Sequence, residues 1–571
     1  MIDPFVLRWQ VRSAGGWEYL LPRSARRRWL CLDATRGATT LLLAPLCEEL
    51  HVVPSNPEAS PEIAEKLRVE GVTNVRLAAD GVYPEADASG GGAFDGFILH
   101  DLGGVLGGQA VEQALRTAGR LVSADGFICA VLRNRCGYTR LRRGLSEMRK
   151  HHAGAYFSAR AVRRLMGGGR DTTLYPLICG GKGQVTDLVP AGGYVSAKNP
   201  SLANESLRRW LLGPRGAPRW SPAFALVATG DPKARSGVAC ALDALAARGL
   251  LKLPAKPETL VKRYHVVDGG KVILSVGEAP GRYGSHILVL VRFSTYAARR
   301  RREAALLSRL AALPADIANR IPRFYFEEEA GGAQVFVLQE FPGVTLDAPG
   351  AGLRTATREA AQFLLRLHMA TRRPARLTAA SANGMFGAAF ETARERYPAL
   401  VSTLKRLEEV LQNALTGADL PLVWMHGDFK IENIVIDERT HRLLGVIDWE
   451  HSEPEGLPLL DLWYLLLYNR QIERGVDFLA AAPDFFPPGQ FTGEDAAMCM
   501  DYMRRLDIPL PTLPALAGAL ILHHVTRRMK YDPEDAWAME ALRALLEKAV
   551  AWIEGAQISS PIGVNGATRN A

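Results

Sequence analysis

His426-Gly427-Asp428-Phe429-Lys430-Ile431-Glu432-Asn433 gathers a carboxylate, a cation and an amide into one short polar stretch, and Leu444-Gly445-Val446-Ile447 leads from it to a further carboxylate, Asp448. Apolar runs flank the stretch: Val423-Trp424-Met425 before it and Ile434-Val435-Ile436 after it. The pattern reads as two short strands with a polar loop before each. Its side chains suit phosphoryl transfer, which needs in-line positioning, charge neutralisation and a group to orient the attacking oxygen rather than covalent help. They could hold magnesium and a triphosphate beside a base. The bland alternative is a hairpin with ordinary polar turn residues.

The spacing H-x-D-x-K-x-x-N, then a hydrophobic strand, then Asp, resembles the catalytic loop and metal-binding Asp of protein kinases. The glycine after His426, and Ile447-Asp448-Trp449-Glu450 in place of Asp-Phe-Gly, are more similar to the aminoglycoside phosphotransferase and choline kinase branch. The resemblance covers roughly the second half of the chain. It implies transfer of a phosphoryl group from ATP, with Mg2+, to the hydroxyl of a small-molecule or sugar-type acceptor. By the same resemblance Asp428 is the base or hydroxyl-orienting group, Lys430 touches the transferred phosphate, and Asn433 and Asp448 are metal ligands. His426 would brace the loop, and Asp461 would be the buried acid that holds its backbone.

Other elements must place that loop against a nucleotide. Val272 to Val276 reads as a strand, and Gly277 to Gly281 as a glycine-rich turn over the phosphates. His286 to Phe293 is the next strand, with Arg292 as the expected phosphate-binding cation. Glu303, in a helix running to Leu310, is expected to pair with Arg292. Val335 to Gly343 is a strand that breaks at Pro342, and it resembles an inter-lobe hinge where backbone around Gln339 and Phe341 bonds adenine. Helices follow at Thr357 to Met369, from Leu459, at Met498 to Arg505, Leu516 to Tyr531 and Glu534 to Ile553. His523, His524, Arg527, Arg528 and Lys530 fall near where this group binds its acceptor, without assigned roles.

The first half alternates strands and helices, which predicts a parallel sheet covered on both faces. Strands are expected at Trp29 to Asp33, His51 to Pro54, Val75 to Ala78, Phe94 to His100 and Gly126 to Leu132. The first helix is expected to reach Leu50, with Pro45 in its first turn. The order resembles class I S-adenosylmethionine-dependent methyltransferases, with Phe94-Asp95-Gly96-Phe97-Ile98-Leu99-His100 similar to their fourth-strand motif. The cofactor loop departs from D-x-G-x-G-x-G: Gly37 matches, but Thr35 and Thr39 replace the other glycines, and Pro54 stands where a ribose-binding acid is usual. S-adenosylmethionine binding is therefore not expected. The basic run Tyr138 to His152 reads as a solvated helix face.

At 571 residues the chain exceeds one core, and a net charge of +9 is mild for that length, so nucleotides fit as partners without requiring nucleic acid. Seven cysteines without a C-x-x-C pair indicate neither a zinc site nor a disulfide framework. No apolar run is long enough to span a bilayer, and a cytoplasmic protein is expected. The expected organisation is an α/β Rossmann-like methyltransferase-type domain at 1–235, a bilobal α+β protein-kinase-like domain at 236–556, and a flexible tail at 557–571. Two competing functions are a bifunctional or primarily methyl-transferring enzyme, which the missing glycines disfavour, and a non-catalytic scaffold, which the intact Asn433 and Asp448 disfavour.

Overall fold

A computed structural model describes residues 15–23, 28–78, 82–84, 93–134, 157–166, 169–179, 185–188, 221–268, 271–278, 284–292, 294–346, 349–485, 493–527 and 536–559. The basic run at 138–152, Gly281, Arg528, Lys530 and the tail beyond Ser559 lie outside them. Contacts group the chain into two compact units, residues 1–300 with 324–340, and residues 301–323 with 341–571. The boundary expected at 235/236 thus falls within the first unit.

In the first unit, apolar runs form parallel strands, the central ones buried on both faces: β1 (Arg28–Asp33), β2 (Glu49–Pro54), β4 (Phe94–Asp101) and β5 (Val122–Arg133), with β3 (Val75–Leu77) a short, partly exposed edge strand. They lie in the order β3-β2-β1-β4-β5, the doubly wound order of dinucleotide-binding sheets. Between them run α1 (Ala38–Leu43), α2 (Ser60–Val69) and α3 (Gly108–Leu121). Helix α3 buries Val111, Ala114, Leu115, Ala118 and Leu121, a stripe at three- and four-residue spacing. Helix α1 is shorter than expected. It stops at Leu43, Ala44–Leu46 form a single tight turn, and the chain is already in β2 at Glu49. Pro45 stands just beyond the helix, where its missing N–H cannot continue the ladder.

The sheet does not stop at β5. Strands β6 (Asp171–Cys179), β7 (Val185–Leu188) and β8 (Ala223–Thr229) extend it by antiparallel pairing, and β7 in turn pairs with β9 (Val261–Asp268). Beyond β9 come β10 (Lys271–Val276), β11 (His286–Val291), β13 (Ala333–Gln339) and β12 (Phe324–Ala330), all antiparallel, giving one sheet of thirteen strands. Tyr264, Val266, Val272, Leu274, Leu288, Leu290, Val335 and Val337 point one face of β9–β13 into the core that also holds Trp17, Leu20 and residues of α4 (Gly237–Ala247). The N-terminal segment is gripped there: Tyr264 Oη donates to the Gly16 carbonyl at 2.6 Å, and a Cβ on Gly16 would come within 2.4 Å of Val266.

The chain passes to the second unit through α5 (Ser294–Leu310) and again after β13. That unit is mainly helical, including α6 (Ala351–Thr371), α7 (Leu460–Arg474) and α8 (Leu513–Arg527). Short strands β14 (Asp419–Met425), β15 (Ile434–Ile436) and β16 (Leu443–Val446) carry the polar loop. An antiparallel five-stranded sheet followed by a helical body with this β15–β16 hairpin is a protein-kinase-like fold. Among the described residues, no single helix is long and apolar enough to cross a membrane.

Candidate active site

Asp428 is fully buried in the turn between β14 and β15. The Asn433 amide nitrogen donates to its carbonyl and to its Oδ2, each at 2.9 Å. Both partners are acceptors, so the amide must face them with its NH2 and is left with Oδ1 to offer elsewhere. Lys430 Nζ stands 3.6 Å from Asp428 Oδ2 and 3.3 Å from Glu432 Oε2, with the Tyr468 ring 5.4 Å below it. The structure therefore brings Asp428, Lys430 and Asn433 together.

Asp448 arrives from the other arm of the hairpin. Strand β15 pairs with β16 through Ile434↔Val446 and Val435↔Gly445, and Ile447 N–H donates to the Asn433 carbonyl at 2.9 Å. The backbones carrying Asn433 and Asp448 are thus tied together. Asp448 adopts the left-handed conformation, φ 68° and ψ 58°. That conformation is costly for a residue with a Cβ and survives where its surroundings over-determine it. Trp449, fully buried, helps to do so: its indole donates to the Val446 carbonyl at 2.8 Å, and its N–H donates to Glu303 Oε1 at 3.1 Å.

Asp461, near the start of α7, holds the loop backbone. Its two oxygens accept from His426 N at 2.6 Å and Gly427 N at 2.9 Å. Burial pushes its carboxyl up to about 7; the charges of Asp428 and Glu453 push the same way, while the two N–H bonds pull it down. His368 Nε2 lies 3.8 Å from Asp461, but burial lowers that imidazole to about 3, so the contact is not an ion pair at neutral pH. His426 accepts from Asp428 N through Nδ1 at 3.2 Å and meets the Ile447 carbonyl through Nε2 at 3.0 Å, which fixes the neutral Nε2–H tautomer. It also packs edge-on against Trp449, 4.6 Å between centroids. His426 thus stitches the Asp428 turn to the Asp448 arm, and Asp461 ties the same turn to α7.

Several supports are not evident from sequence pattern. Gly427 has φ 79°, and a Cβ there would stand 2.3 Å from the His451 carbonyl oxygen. His523 Nε2, on α8, reaches the Gly427 carbonyl at 2.8 Å. Ser452 accepts from the Trp424 indole at 2.7 Å and donates to the Met425 carbonyl at 2.9 Å. His523 and Ser452 lie outside the eight-residue loop, and of the three only Gly427 carries a local signal.

The nucleotide-facing expectations need correction at Arg292. Its guanidinium pairs with Glu18 Oε1 at 3.3 Å and donates to the Leu42 carbonyl at 2.8 Å, with side chains only 7% and 0% exposed. Arg292 is thereby absorbed into the N-terminal core of the first unit and is not presented to a phosphate, while Glu303, its expected partner, accepts from Trp449. Gly277 does sit at a close approach, where a Cβ would meet Gly284 Cα at 2.8 Å. This turn joins β10 to β11 and lies at their Gln339 end, since His286 is the register partner of both Val276 and Gln339. Phe341 is buried with its ring over Gly445, where a Cβ would fall 2.2 Å away. Glu340 went unnoticed in the sequence: its carboxylate accepts from Gly284 N at 2.9 Å and also bonds Ser275 and Arg263.

At the carboxyl end of β1 the first unit has a closed loop. Asp33 accepts from Thr35 N at 2.6 Å, Gly37 N at 3.1 Å, Thr40 N at 3.2 Å and the hydroxyls of Thr35 and Thr40. Thr39 Oγ1 bonds His100 Nδ1 at 2.7 Å, and the Trp17 ring leans on His100 at 5.1 Å. Burial lowers His100 to about 4, so it is neutral.

Residues 266–487 match the family model described as phosphotransferase enzyme family. The chain is 31% identical over 143 residues to acyl-CoA dehydrogenase family member 11 of Gallus gallus, a match covering 23% of this chain and 18% of that protein. Among solved structures it is similar to an aminoglycoside phosphotransferase from Streptomyces rimosus, with 19% identity, 45% of this chain and 88% of the other covered, and a TM-score of 0.29. A possible histamine N-methyltransferase from Thermotoga maritima aligns at 15% identity, over 40% of this chain and 89% of its own, with a TM-score of 0.25.

Proposed function

We propose that the protein is an ATP- and Mg2+-dependent phosphotransferase that phosphorylates a hydroxyl of a small-molecule or sugar-type acceptor. The observation that carries this is the Asn433 amide, which spends both donors on Asp428 and keeps its oxygen for another partner, on a backbone tied through Ile447 to the arm that bears Asp448. A carboxylate and an amide oxygen on tied backbones suit magnesium, which takes one or two carboxylates together with phosphate oxygens. Bound there, Mg2+ supplies charge neutralisation on the phosphate oxygens.

The chain's own residues do the rest. Asp428 accepts the acceptor's hydroxyl proton or aligns its oxygen for in-line attack. The Asn433 bonds hold the carboxylate in one orientation, and Asp461 and His426 fix the loop that carries it. Lys430, 17% exposed at the edge of this turn, is placed to meet the transferred phosphate. The activity is proposed for the kinase-like segment 236–556, with 1–235 as a methyltransferase-like segment that shares its sheet, and with action in the cytoplasm, where ATP is supplied. The test is a screen of hydroxyl compounds for ATP consumption by the full chain, with the product identified by a phosphate mass increment. The reading requires a compound that is consumed by the wild type and not by Asp428→Asn; a screen in which both consume ATP equally rejects it.

A further inference from the structure

One side of the parallel sheet is covered by α3 and by a short helix at Ala159–Leu165 that touches it. Both rest on one apolar layer: Ala114, Leu115 and Ala118 of α3 and Val162 of the short helix join Phe97 and Ile128 of the strands in a single buried cluster. With that stripe turned inward, helical geometry turns the remaining positions outward. Arg116 and Arg120 on α3, and Arg160, Arg163 and Arg164 on the short helix, are all exposed. Glu112 is the one carboxylate on either helix, so the layer is strongly cationic.

The five arginines lack counter-ions. Among the described residues none meets a carboxylate, and Arg120 reaches only Thr117 Oγ1, at 3.5 Å. Exposed helical arginines elsewhere do find acids, as Arg68 finds Glu65, Arg406 finds Glu409 and Arg504 finds Asp501. Arg116 and Arg120 stand one helical turn apart, as do Arg160 and Arg164, and Arg163 also neighbours Arg160 across a turn. Like charges at these spacings repel and cost helix stability. Helix formation therefore does not account for them, and neither does packing, since all five face away from the sheet.

We infer that this face docks on an anionic phospholipid surface, an inference independent of the phosphotransfer reading. Charge complementarity carries it: basic side chains near an anionic leaflet each strengthen binding, and the long arginine side chain reaches headgroups from a flat layer. Two observations favour lipid over nucleic acid. Neither helix carries an aromatic residue on which a base could stack. Val105, in the turn that leads into α3, is 60% exposed; an apolar side chain there gains from the acyl boundary and has no partner on a phosphodiester. The contact is peripheral, since no single described helix is long and apolar enough to cross a bilayer.

The test is sedimentation of the full chain with vesicles of phosphatidylcholine alone, and of phosphatidylcholine and phosphatidylserine at about 2:1. Binding is expected to the mixed vesicles only, and should fall as added salt shortens the reach of the charges. Each basic residue near the surface contributes about five-fold, so Arg160→Gln/Arg163→Gln/Arg164→Gln should bind roughly 100-fold more weakly. Its melting temperature should hold or rise, because like-charge neighbours are removed. If it does not fold, Arg116→Gln/Arg120→Gln, with a loss of about 25-fold, carries the same comparison. The control is Arg36→Gln/Arg68→Gln/Arg248→Gln, which removes equal charge from the opposite face of the sheet, where Ile63 and Leu67 of α2 and Leu245 of α4 pack in the other buried cluster. It should bind within about three-fold of wild type, since charges beyond a Debye length are screened. Equal binding to both vesicle types, an unchanged triple variant, or an equal loss in the control overturns the inference. Tighter binding to duplex RNA or DNA than to the mixed vesicles, with the same dependence on these arginines, overturns it as well and assigns the face to nucleic acid.

Discussion

Asp428 is as well defined by its neighbours as by its own identity. Asn433 fixes the plane of its carboxylate, and Lys430 stands at its edge. Asp428→Asn should bind nucleotide normally and lose turnover by on the order of 100- to 10,000-fold, the usual contribution of a positioned acid or base; turnover within a few-fold of wild type would remove Asp428 from the mechanism. Asp448 is predicted to act through the metal alone. Asp448→Ala should weaken Mg-ATP binding more than binding of metal-free ATP, and equal losses with and without Mg2+ in a binding titration would show that it is not a ligand. Asp461 makes a pH-dependent prediction. Its oxygens accept two backbone N–H bonds, an arrangement the carboxylate serves best, yet burial raises it to about 7. Turnover should therefore rise as pH increases through about 7, and Asp461→Asn should flatten that limb of the kcat profile. The stability effect has the opposite sign. A folded-state value raised above the ordinary 3.8 gives a contribution that is full below the unfolded value and is lost as pH rises through about 7. A wild-type profile flat from pH 6 to 8 would count against both.

At the scale of elements, what could be read from sequence is what lies close in sequence. The polar loop packs its groups into eight residues, so spacing alone brings Asp428, Lys430 and Asn433 into view, and the strand after it leads to Asp448. Alternating apolar runs gave the parallel strands for the same reason. Arg292 failed because its partner Glu18 lies 274 residues away. A side chain after a β-strand can face either way, and only the register with β10 and the packing of the N-terminal segment decide. Helix α1 is shorter than expected because Leu41 to Leu46 is one continuous apolar run, and such a run does not mark where a helix stops and the next strand begins. The closed loop after β1 is half legible: Thr35 and Thr39 stand out as departures from the glycine pattern, but their role as partners of Asp33 and His100 leaves no mark in the sequence. That role sharpens the expectation for the first unit. Asp33 already accepts from three backbone N–H groups, and Trp17 lies on His100, so little is left to receive a cofactor. Calorimetry on the full chain should find S-adenosylmethionine binding weaker than about 1 mM, or roughly −4 kcal/mol. Low-micromolar affinity would reopen the bifunctional reading.

At the scale of the whole molecule, the parallel strands β1–β5 and the small antiparallel sheet β9–β13 belong to one sheet. Strand β7 pairs with β9, Gly16 is held by Tyr264, and Glu18 is held by Arg292. Sequence reasoning divided the chain at 235/236, where Asp231 to Lys233 signals a turn, because two family resemblances meet there. Three-dimensional contacts do not respect that junction: they keep residues 1–300 together with 324–340. Cutting the chain at 236 would remove Glu18 and leave the Arg292 guanidinium, whose side chain is 7% exposed, without its partner. Stranding one member of a buried ion pair typically costs about 3–5 kcal/mol. The cut would also bare β9 as a sheet edge, the kind of unpaired ladder that invites association between chains. Fragment 236–571 should therefore melt well below the full chain or associate on concentration, and should lose ATP turnover even though it retains the whole Asp428 loop. Adding Arg292→Met to the fragment should recover part of the melting loss, because it removes the stranded charge. A fragment that is monomeric, melts with the full chain and turns over ATP at the same rate would show that the first half is dispensable to the sheet it extends, and would restore 235/236 as a true domain boundary.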